Sequence, residues 1–225
     1  MADEKLSYPK VINYDNIRHT LRVGDIILFA GAYVESRMIR FFSGGKASHV
    51  GIVLKTEYDE AIGRHMVEIL EANHDTAYPD LNGVILTHLS DRLPFYKGDI
   101  WLLPLNEEFR KLLDMDAFDR FLRGEMGKEY DMATRWKSAI DFLDKFGLSH
   151  NEENLQQYFC SELVAAAFKV AGGLPHINPS EVSPADVYQW DIYTDEFYQI
   201  KCFDYVAKPL SNYKGIKLMQ IARSS

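Results

Sequence analysis

Cys160 is the leading candidate for a reactive residue in this sequence. It stands in residues 157–164, where a polar loop gives way to apolar residues at helical spacing, and the pattern predicts that a helix begins there. A thiol in the first turn of a helix faces backbone N–H groups and the positive end of the helix dipole, and both stabilise the thiolate. The same N–H groups could bind an oxyanion. Cys160 is therefore a candidate nucleophile, and the alternative is a small buried side chain.

A histidine and a glutamate on neighbouring predicted strands are candidate partners of this thiol. His49 lies near the start of a β-branched stretch, residues 48–54, and residues 66–72 predict the next strand. A hairpin with its turn centred near Glu60 would place His49 directly opposite Glu71. A carboxylate at that separation can hold an imidazole in one tautomer. Without such a partner, His49 is better interpreted as a packed core histidine.

A metal site is a weaker interpretation of the same residues. His65 and His74 could join His49 and Glu71 as ligands, but their spacing matches no familiar ligand pattern. We therefore expect neither a metal nor an organic cofactor.

Composition and charge narrow the class of protein and partner. The chain has 225 residues, 47% hydrophobic and 26% charged, which is typical of a globular protein with a full core. A formal net charge of −8 without a basic stripe argues against nucleic acid and anionic membranes as partners.

Two cysteines form no disulfide framework, and Cys202 is expected to be packed in a strand. Residues 1–5 lack a signal-peptide pattern and no run could span a membrane, so we expect a cytoplasmic protein of undetermined oligomeric state.

The elements that must position these residues follow an α+β pattern. Gly24 and Asp25 predict a turn before the first buried strand, Asn106 is placed as a helix N-cap, and Gly172 with Gly173 as a helix C-cap. The predicted strands are 26–30, 48–54, 66–72, 83–89, 97–104 and 197–206. The predicted helices are 34–42, 106–124, 132–146, 160–171 and a short one from Ser183, with a polar connection at 55–64, a turn at 91–94 and a loop at 147–154.

Five segments in this order resemble the circularly permuted NlpC-like papain-fold cysteine hydrolases, in particular the YiiX/YebB-like group. The resemblance implies a single domain over residues 1–225, with a mostly antiparallel central sheet packed against helices and the nucleophile at a helix N-terminus. It implies that Cys160 is the nucleophile, His49 the base and Glu71 the residue that orients the imidazole. The segments are residues 23–28, 48–53, 69–72, 127–131 and 158–164.

The implied activity is hydrolysis of an amide bond in a small or cell-wall-type peptide, through an acyl-enzyme on the cysteine. Tyr130, Ser161 and Ser48 are weaker candidates for binding substrate or an oxyanion. A helical insertion at about 132–155 is longer than the group leads us to expect, and it is predicted to cover the site or else to be a plain packing helix.

Two alternatives remain open at this point. One is a lipid acyltransferase or thioesterase related to lecithin:retinol acyltransferase-like proteins, although residues 160–163 lack the Asn-Cys-Glu-His pattern associated with them. The other is an inactive module that binds a peptide or an amino acid. The presence of all three candidate residues argues against inactivity.

Overall fold

A mixed sheet is the framework of the part of the chain that the computed structural model describes, namely residues 6–31, 47–73, 83–128, 152–213 and 215–216. The strands are β1 (Leu6–Ser7), β2 (Lys10–Val11), β3 (Ile26–Gly31), β4 (His49–Asp59), β5 (Arg64–Asn73), β6 (Gly83–His88), β7 (Gly98–Leu103), β8 (Tyr193–Thr194), β9 (Tyr198–Lys201), β10 (Leu210–Ser211) and β11 (Gly215–Ile216). The helices are α1 (Tyr14–Ile17), α2 (Leu89–Phe95), α3 (Glu107–Leu112), α4 (Met115–Glu125), α5 (Glu152–Val170) and α6 (Pro184–Val187).

The main sheet of these residues has seven strands in the order β2-β9-β7-β3-β4-β5-β6. Neighbouring strands are antiparallel except for β2 and β9, which run parallel. Two further pairs, β1 with β10 and β8 with β11, form separate short ladders. The expected α+β class, with a mostly antiparallel sheet packed against helices, is confirmed.

The centre of the sheet is buried on both faces. All six residues of β3 and all six of β7 are buried, which explains why β3 and residues 100–103 of β7 are apolar without alternation. One face packs against α5 and the other against α1 and α2. The α5 face includes Leu28, Val50, Ile52, Leu70, Leu163, Val164 and Phe168. The α1 face includes Tyr14, Ile17, Ile27, Phe29, Val53, Ile69 and Leu89.

Several predicted turns and caps are present. Gly24 has a φ of +90° and Asp25 N–H donates to the Arg22 carbonyl at 3.0 Å, which forms the predicted turn before β3. The Asn106 side chain accepts from Phe109 N–H at 2.7 Å at the start of α3. Gly172, with a φ of +82°, ends α5 as predicted. Ser183 and Asp186 form a complete capping box at α6.

The hairpin between β4 and β5 differs from its prediction. Residues 55–59, expected to be a polar connection, continue β4, and the turn occupies residues 60–63. Because this turn is centred between Ala61 and Ile62 and not near Glu60, the pairing moves by three residues, and a bulge after Val53 takes one of them back. Gly51 and not His49 therefore lies opposite Glu71. Exposed polar residues on a long two-stranded ribbon resemble a loop in sequence, and this similarity accounts for the error.

The segment 91–94 is helical and not a turn. It lies within α2, and Pro94 falls in the last turn of that helix, where it removes one intrahelical hydrogen bond, while Tyr96 N–H still donates to the Arg92 carbonyl. The strands that flank α2 are also far apart in the sheet, because β6 is at one edge and β7 lies between β9 and β3.

Two predicted elements have different lengths. The helix expected over 106–124 is divided into α3 and α4, because the Asp114 carboxylate accepts from Asp116 N–H and Ala117 N–H and caps a new helix. The strand expected over 197–206 ends at Lys201, so that Cys202 is half-buried just beyond β9 and not packed within it.

Other predictions lie outside the described residues. These are the helices at 34–42 and 132–146, Tyr130, His74 and most of the insertion at 132–155. In the described segments no helix is both long enough and apolar enough to cross a membrane.

Candidate active site

Cys160 lies inside helix α5 and not at its start. The helix begins at Glu152, so Cys160 is its ninth residue and occupies the third turn. Residues 152–159 include Glu, Gln and Leu, which favour helix as strongly as the apolar residues that follow, and the change in polarity therefore does not mark the helix end. The predicted position at a helix N-terminus was wrong. Backbone donors of a first turn are not at this thiol, so another group must stabilise a thiolate there.

The cysteine side chain is fully buried on the helix side of the sheet. Its relative exposure is 0%, and it belongs to the core that includes Val50, Leu163 and Val164. Cys202, by comparison, is partly exposed. The candidate nucleophile is thus held on a rigid element, and a substrate requires a local opening to reach it.

His49 and Glu71 are joined by a side-chain hydrogen bond. Nε2 of His49 lies 2.8 Å from Oε2 of Glu71, and both side chains are buried. The register is two residues away from the predicted one, but an even shift keeps both side chains on the same face. Gly51, directly opposite Glu71, has no side chain to separate the carboxylate from the imidazole. The predicted partnership therefore holds, through a diagonal contact.

The carboxylate of Glu71 has two further partners that the sequence did not reveal. Thr87 Oγ1 donates to Oε1 at 2.9 Å, and Arg92 Nε lies 3.2 Å from Oε1 and 3.3 Å from Oε2. Thr87 could have been found, because the two-residue period of β6 puts it on the same face as Ile85, which pairs with Glu71. Arg92 had no such signal, since its segment was predicted to be a turn.

Aromatic rings hold the imidazole and the guanidinium in place. The rings of Phe29 and His49 have centroids 5.3 Å apart. Arg92 Cζ lies 5.4 Å from the centroid of Phe29 and 5.3 Å from that of Tyr96. Stacked cations of this kind lose few further degrees of freedom when they bind a carboxylate. Arg92 therefore fixes Glu71, which in turn fixes His49.

The charges of this cluster reinforce one another. Burial on its own would lower the pKa of His49, but charge and hydrogen-bond interactions with Cys160, followed by those with Glu71, raise it from 6.5 to about 9. Burial would raise the pKa of Glu71, yet His49, Arg92 and Thr87 lower it to about 2. The arrangement favours a protonated imidazole next to an ionised carboxylate.

The second ring nitrogen of His49 is the one available to the thiol. Nε2 bonds Glu71, and Nδ1 is buried without a hydrogen bond to any nitrogen or oxygen of the described residues. Cys160 is the group whose charge and hydrogen bonding act on this imidazole besides Glu71. The structure thus brings together all three residues that the sequence singled out, in the chemical order thiol, imidazole, carboxylate.

The two serines proposed to bind substrate have backbone contacts in this structure. Ser161 is buried and its Oγ donates to the Val182 carbonyl at 2.5 Å. Ser48 Oγ donates to the Phe29 carbonyl at 3.3 Å and accepts from Gly31 N–H at 3.2 Å, which ties β4 to β3. Their role in binding substrate remains a prediction.

The histidine considered as a metal ligand lies away from the site. His65, on β5, packs its ring against Tyr58 at 5.2 Å and His19 at 6.4 Å. Among the described residues, no three or more His, Cys, Asp or Glu side chains are grouped so that they could hold a metal ion.

Comparison with known proteins finds similarity among solved structures. No family model matches the chain, and no curated protein matches it. Among solved structures, the chain is similar to the crystal structure of the metalloprotein YiiX from Escherichia coli O157:H7. The two share 18% sequence identity and a TM-score of 0.39, over 87% of this chain and 98% of that one.

Proposed function

We propose that the chain is a cysteine hydrolase that cleaves an amide bond in a small or cell-wall-type peptide. The observation that carries this proposal is the buried contact of 2.8 Å between His49 and Glu71, with Cys160 acting on the same imidazole. A thiol, a base and a residue that orients the base are the minimum set for nucleophilic catalysis by cysteine. A purely structural role would not need an ionised carboxylate and an imidazole buried side by side.

The first half of the reaction forms an acyl-enzyme. The proton of the Cys160 thiol passes to Nδ1 of His49, which gives the imidazolium that the cluster favours, and the thiolate sulfur attacks the substrate carbonyl carbon. The tetrahedral intermediate collapses when the imidazolium returns its proton to the leaving nitrogen, so that the C–N bond breaks and an amine departs. Glu71 stays ionised throughout, accepts the Nε2 hydrogen bond and keeps Nδ1 directed to the chemistry.

The second half releases the acyl group to water. The neutral His49 removes a proton from a water molecule, whose oxygen attacks the thioester carbon, and the thiol leaves with the proton that the imidazole then returns. The products are a carboxylic acid and the free Cys160. The backbone donors that a helix start would offer to the oxyanion are absent at this position of α5, so the oxyanion needs donors from other residues, and Tyr130 stays a candidate.

Chain order and sequence resemblance support a permuted papain-like arrangement. His49 and Glu71 precede Cys160, the reverse of the order in ordinary papain-like enzymes, and such a triad is defined by geometry and not by sequence position. The buried His49–Glu71 contact also supports an active protein over a module that only binds.

The test is hydrolysis across a substrate panel with matched variants. The wild-type chain is assayed on acyl-amides, esters and peptidoglycan fragments beside Cys160→Ser, His49→Ala and the control Cys202→Ser. We expect amide cleavage that both site variants lose and the control retains. Activity that survives Cys160→Ser would contradict the proposal. Cleavage of esters alone would favour the alternative of a lipid acyltransferase or thioesterase.

A further inference from the structure

A second cluster of polar side chains lies away from the catalytic residues, on the face of the sheet that packs against α1. It surrounds a cleft of about 440 Å³, a size typical of pockets for small molecules. The lining residues include Tyr14, Asp15, Arg18, Arg64, Asp91 and Lys201. The cleft therefore has three cationic side chains and two carboxylates. Its excess of positive charge is opposite to the net charge of the whole chain, which is −8.

Arg18 is the unusual member of this cluster. Its side chain is 5% exposed, and its only ion pair within the described residues joins Nη1 to Oδ1 of Asp15 at 3.0 Å. The Asp15 side chain is itself 72% exposed, so solvent screens this pair. Nε and Nη2 are buried, and neither makes a hydrogen bond of good geometry to a described residue.

The two unused nitrogens form one edge of the guanidinium. Nε–H and the outer hydrogen of Nη2 point in parallel, and this edge binds two oxygens of a carboxylate or phosphate at once. Buried donors without acceptors cost free energy, which is why nearly all of them in proteins have a partner. A ligand oxyanion would supply the missing acceptors.

Tyr14 adds a hydroxyl with the same property. Its side chain is 6% exposed, and its OH is buried without a hydrogen bond of good geometry to a described residue. Burial raises the pKa of Tyr14 to about 12, against the charge of Arg18, a hydrogen-bonding interaction with the same guanidinium and the charge of Arg64, so the phenol keeps its proton at neutral pH. Arg18 Cζ lies 4.8 Å from the centroid of the Tyr14 ring, which holds the two groups together.

We propose that this cleft binds a small phosphorylated molecule, with its phosphate on the Nε–Nη2 edge of Arg18. Arg64 and Lys201 add charge at the rim, and the Tyr14 hydroxyl is a further donor. A phosphate is favoured over a carboxylate because its three or more oxygens can use more of these donors. The proposal is independent of the activity of Cys160.

The test is calorimetric titration of the full chain with inorganic phosphate, and with sulfate and acetate, at one low ionic strength. Arg18→Lys keeps the charge but loses the parallel edge, and it should weaken phosphate binding by about tenfold or more. Arg64→Gln, at an exposed position, should weaken it severalfold without risk to folding. The control Arg22→Gln, outside the cleft, should change it less than about twofold.

A spectroscopic measurement locates the ion directly. Addition of phosphate to wild-type protein should shift the ¹⁵N and ¹H resonances of the Arg18 Nε–H group, and the shift should saturate with the calorimetric affinity. The proposal fails if phosphate shows no saturable binding at millimolar concentration, or if Arg64→Gln and Arg22→Gln bind it equally. Acetate binding as tight as that of phosphate would contradict the choice of a phosphate ligand.

Discussion

Nε2 of His49 lies 2.8 Å from Oε2 of Glu71, although the residue directly opposite Glu71 in the sheet is Gly51. The contact is diagonal, and it depends on the space that a glycine leaves. A Cβ at position 51 would lie 3.2 Å from Cγ of Glu71, closer than ordinary van der Waals contact. The glycine is thus part of what allows the carboxylate to reach the imidazole.

Replacement of this glycine should disturb the site. Glu71 is fixed by three partners and cannot yield easily, so Gly51→Ala should destabilise the fold by about 1–2 kcal/mol, as overpacking does, and lower activity. Gly124→Ala is the matched control, because a Cβ there meets no atom within 4 Å and alanine favours helix α4. Urea denaturation measures both. Equal stability of the two variants would show that Glu71 adapts without cost.

Removal of the carboxylate charge should make stability less dependent on pH in acid. The pKa of Glu71 is lowered in the fold, to about 2 from 4.5, so its contribution is present above pH 4.5 and is lost as pH falls through about 2. Glu71→Gln lacks this contribution. The free energy of unfolding of the wild type should therefore exceed that of the variant at pH 6, and the difference should shrink toward pH 2.

The control for that experiment lies on the same strand. Glu68→Gln changes a half-buried carboxylate that makes no contact with His49 in the register of the hairpin. Its denaturation curve should follow that of the wild type across the same pH range. If Glu68→Gln flattened the acid dependence and Glu71→Gln did not, the assignment of the two carboxylates would be wrong.

Loss of the thiol should lower the pKa of His49. Interaction with Cys160 is the largest of the contributions that raise this pKa to about 9 against burial, so Cys160→Ala should move it toward or below 6.5. NMR titration of the imidazole in the wild type and in this variant measures the change, with the wild-type value belonging to the coupled pair. Cys202→Ala should leave it unaltered. An equal pKa of His49 in all three proteins would show that Cys160 does not interact with the imidazole.

Arg92 should act as a positioning residue through Glu71. Its charge lowers the pKa of Glu71, so Arg92→Met should raise that pKa, measured by ¹³C NMR of the carboxyl group. Because Glu71 is then held less firmly, kcat should fall by about tenfold, which is less than the full contribution of a positioned general base. KM should change little. Arg123→Met, which removes an exposed arginine paired with Asp119, is the control. Full activity in Arg92→Met would contradict this role.

The face of the sheet on which each candidate side chain lies could be predicted from the sequence. Its burial and the pairing register of its strand could not. The two-residue period placed His49 and Glu71 on one face, and that parity survived because the error in register was two residues. The bulge after Val53 has no local sequence signature and depends on how the strands twist against the sheet.

Long-range contacts account for what the sequence missed at the site. Arg92 binds Glu71 from a helix whose proline suggested a turn, and only packing on Phe29 and Tyr96 shows why it points there. Helix α5 begins at Glu152 because the residues before Cys160 have high helix propensity. The change from polar to apolar residues at Cys160 suggested a later start.

The measurement that tests the central claim most directly is the alkylation rate of each cysteine by iodoacetamide, followed by peptide mass spectrometry. Burial, Asp99 and Asp204 raise the pKa of Cys202, which slows its alkylation, whereas Cys160 interacts with the imidazole of His49, the proposed base. We predict that Cys160 reacts faster than Cys202 near neutral pH in the folded protein, despite its burial, and that His49→Ala abolishes this advantage. If Cys160 reacts only when the protein unfolds, it is a packed core thiol and the proposed hydrolase mechanism is wrong.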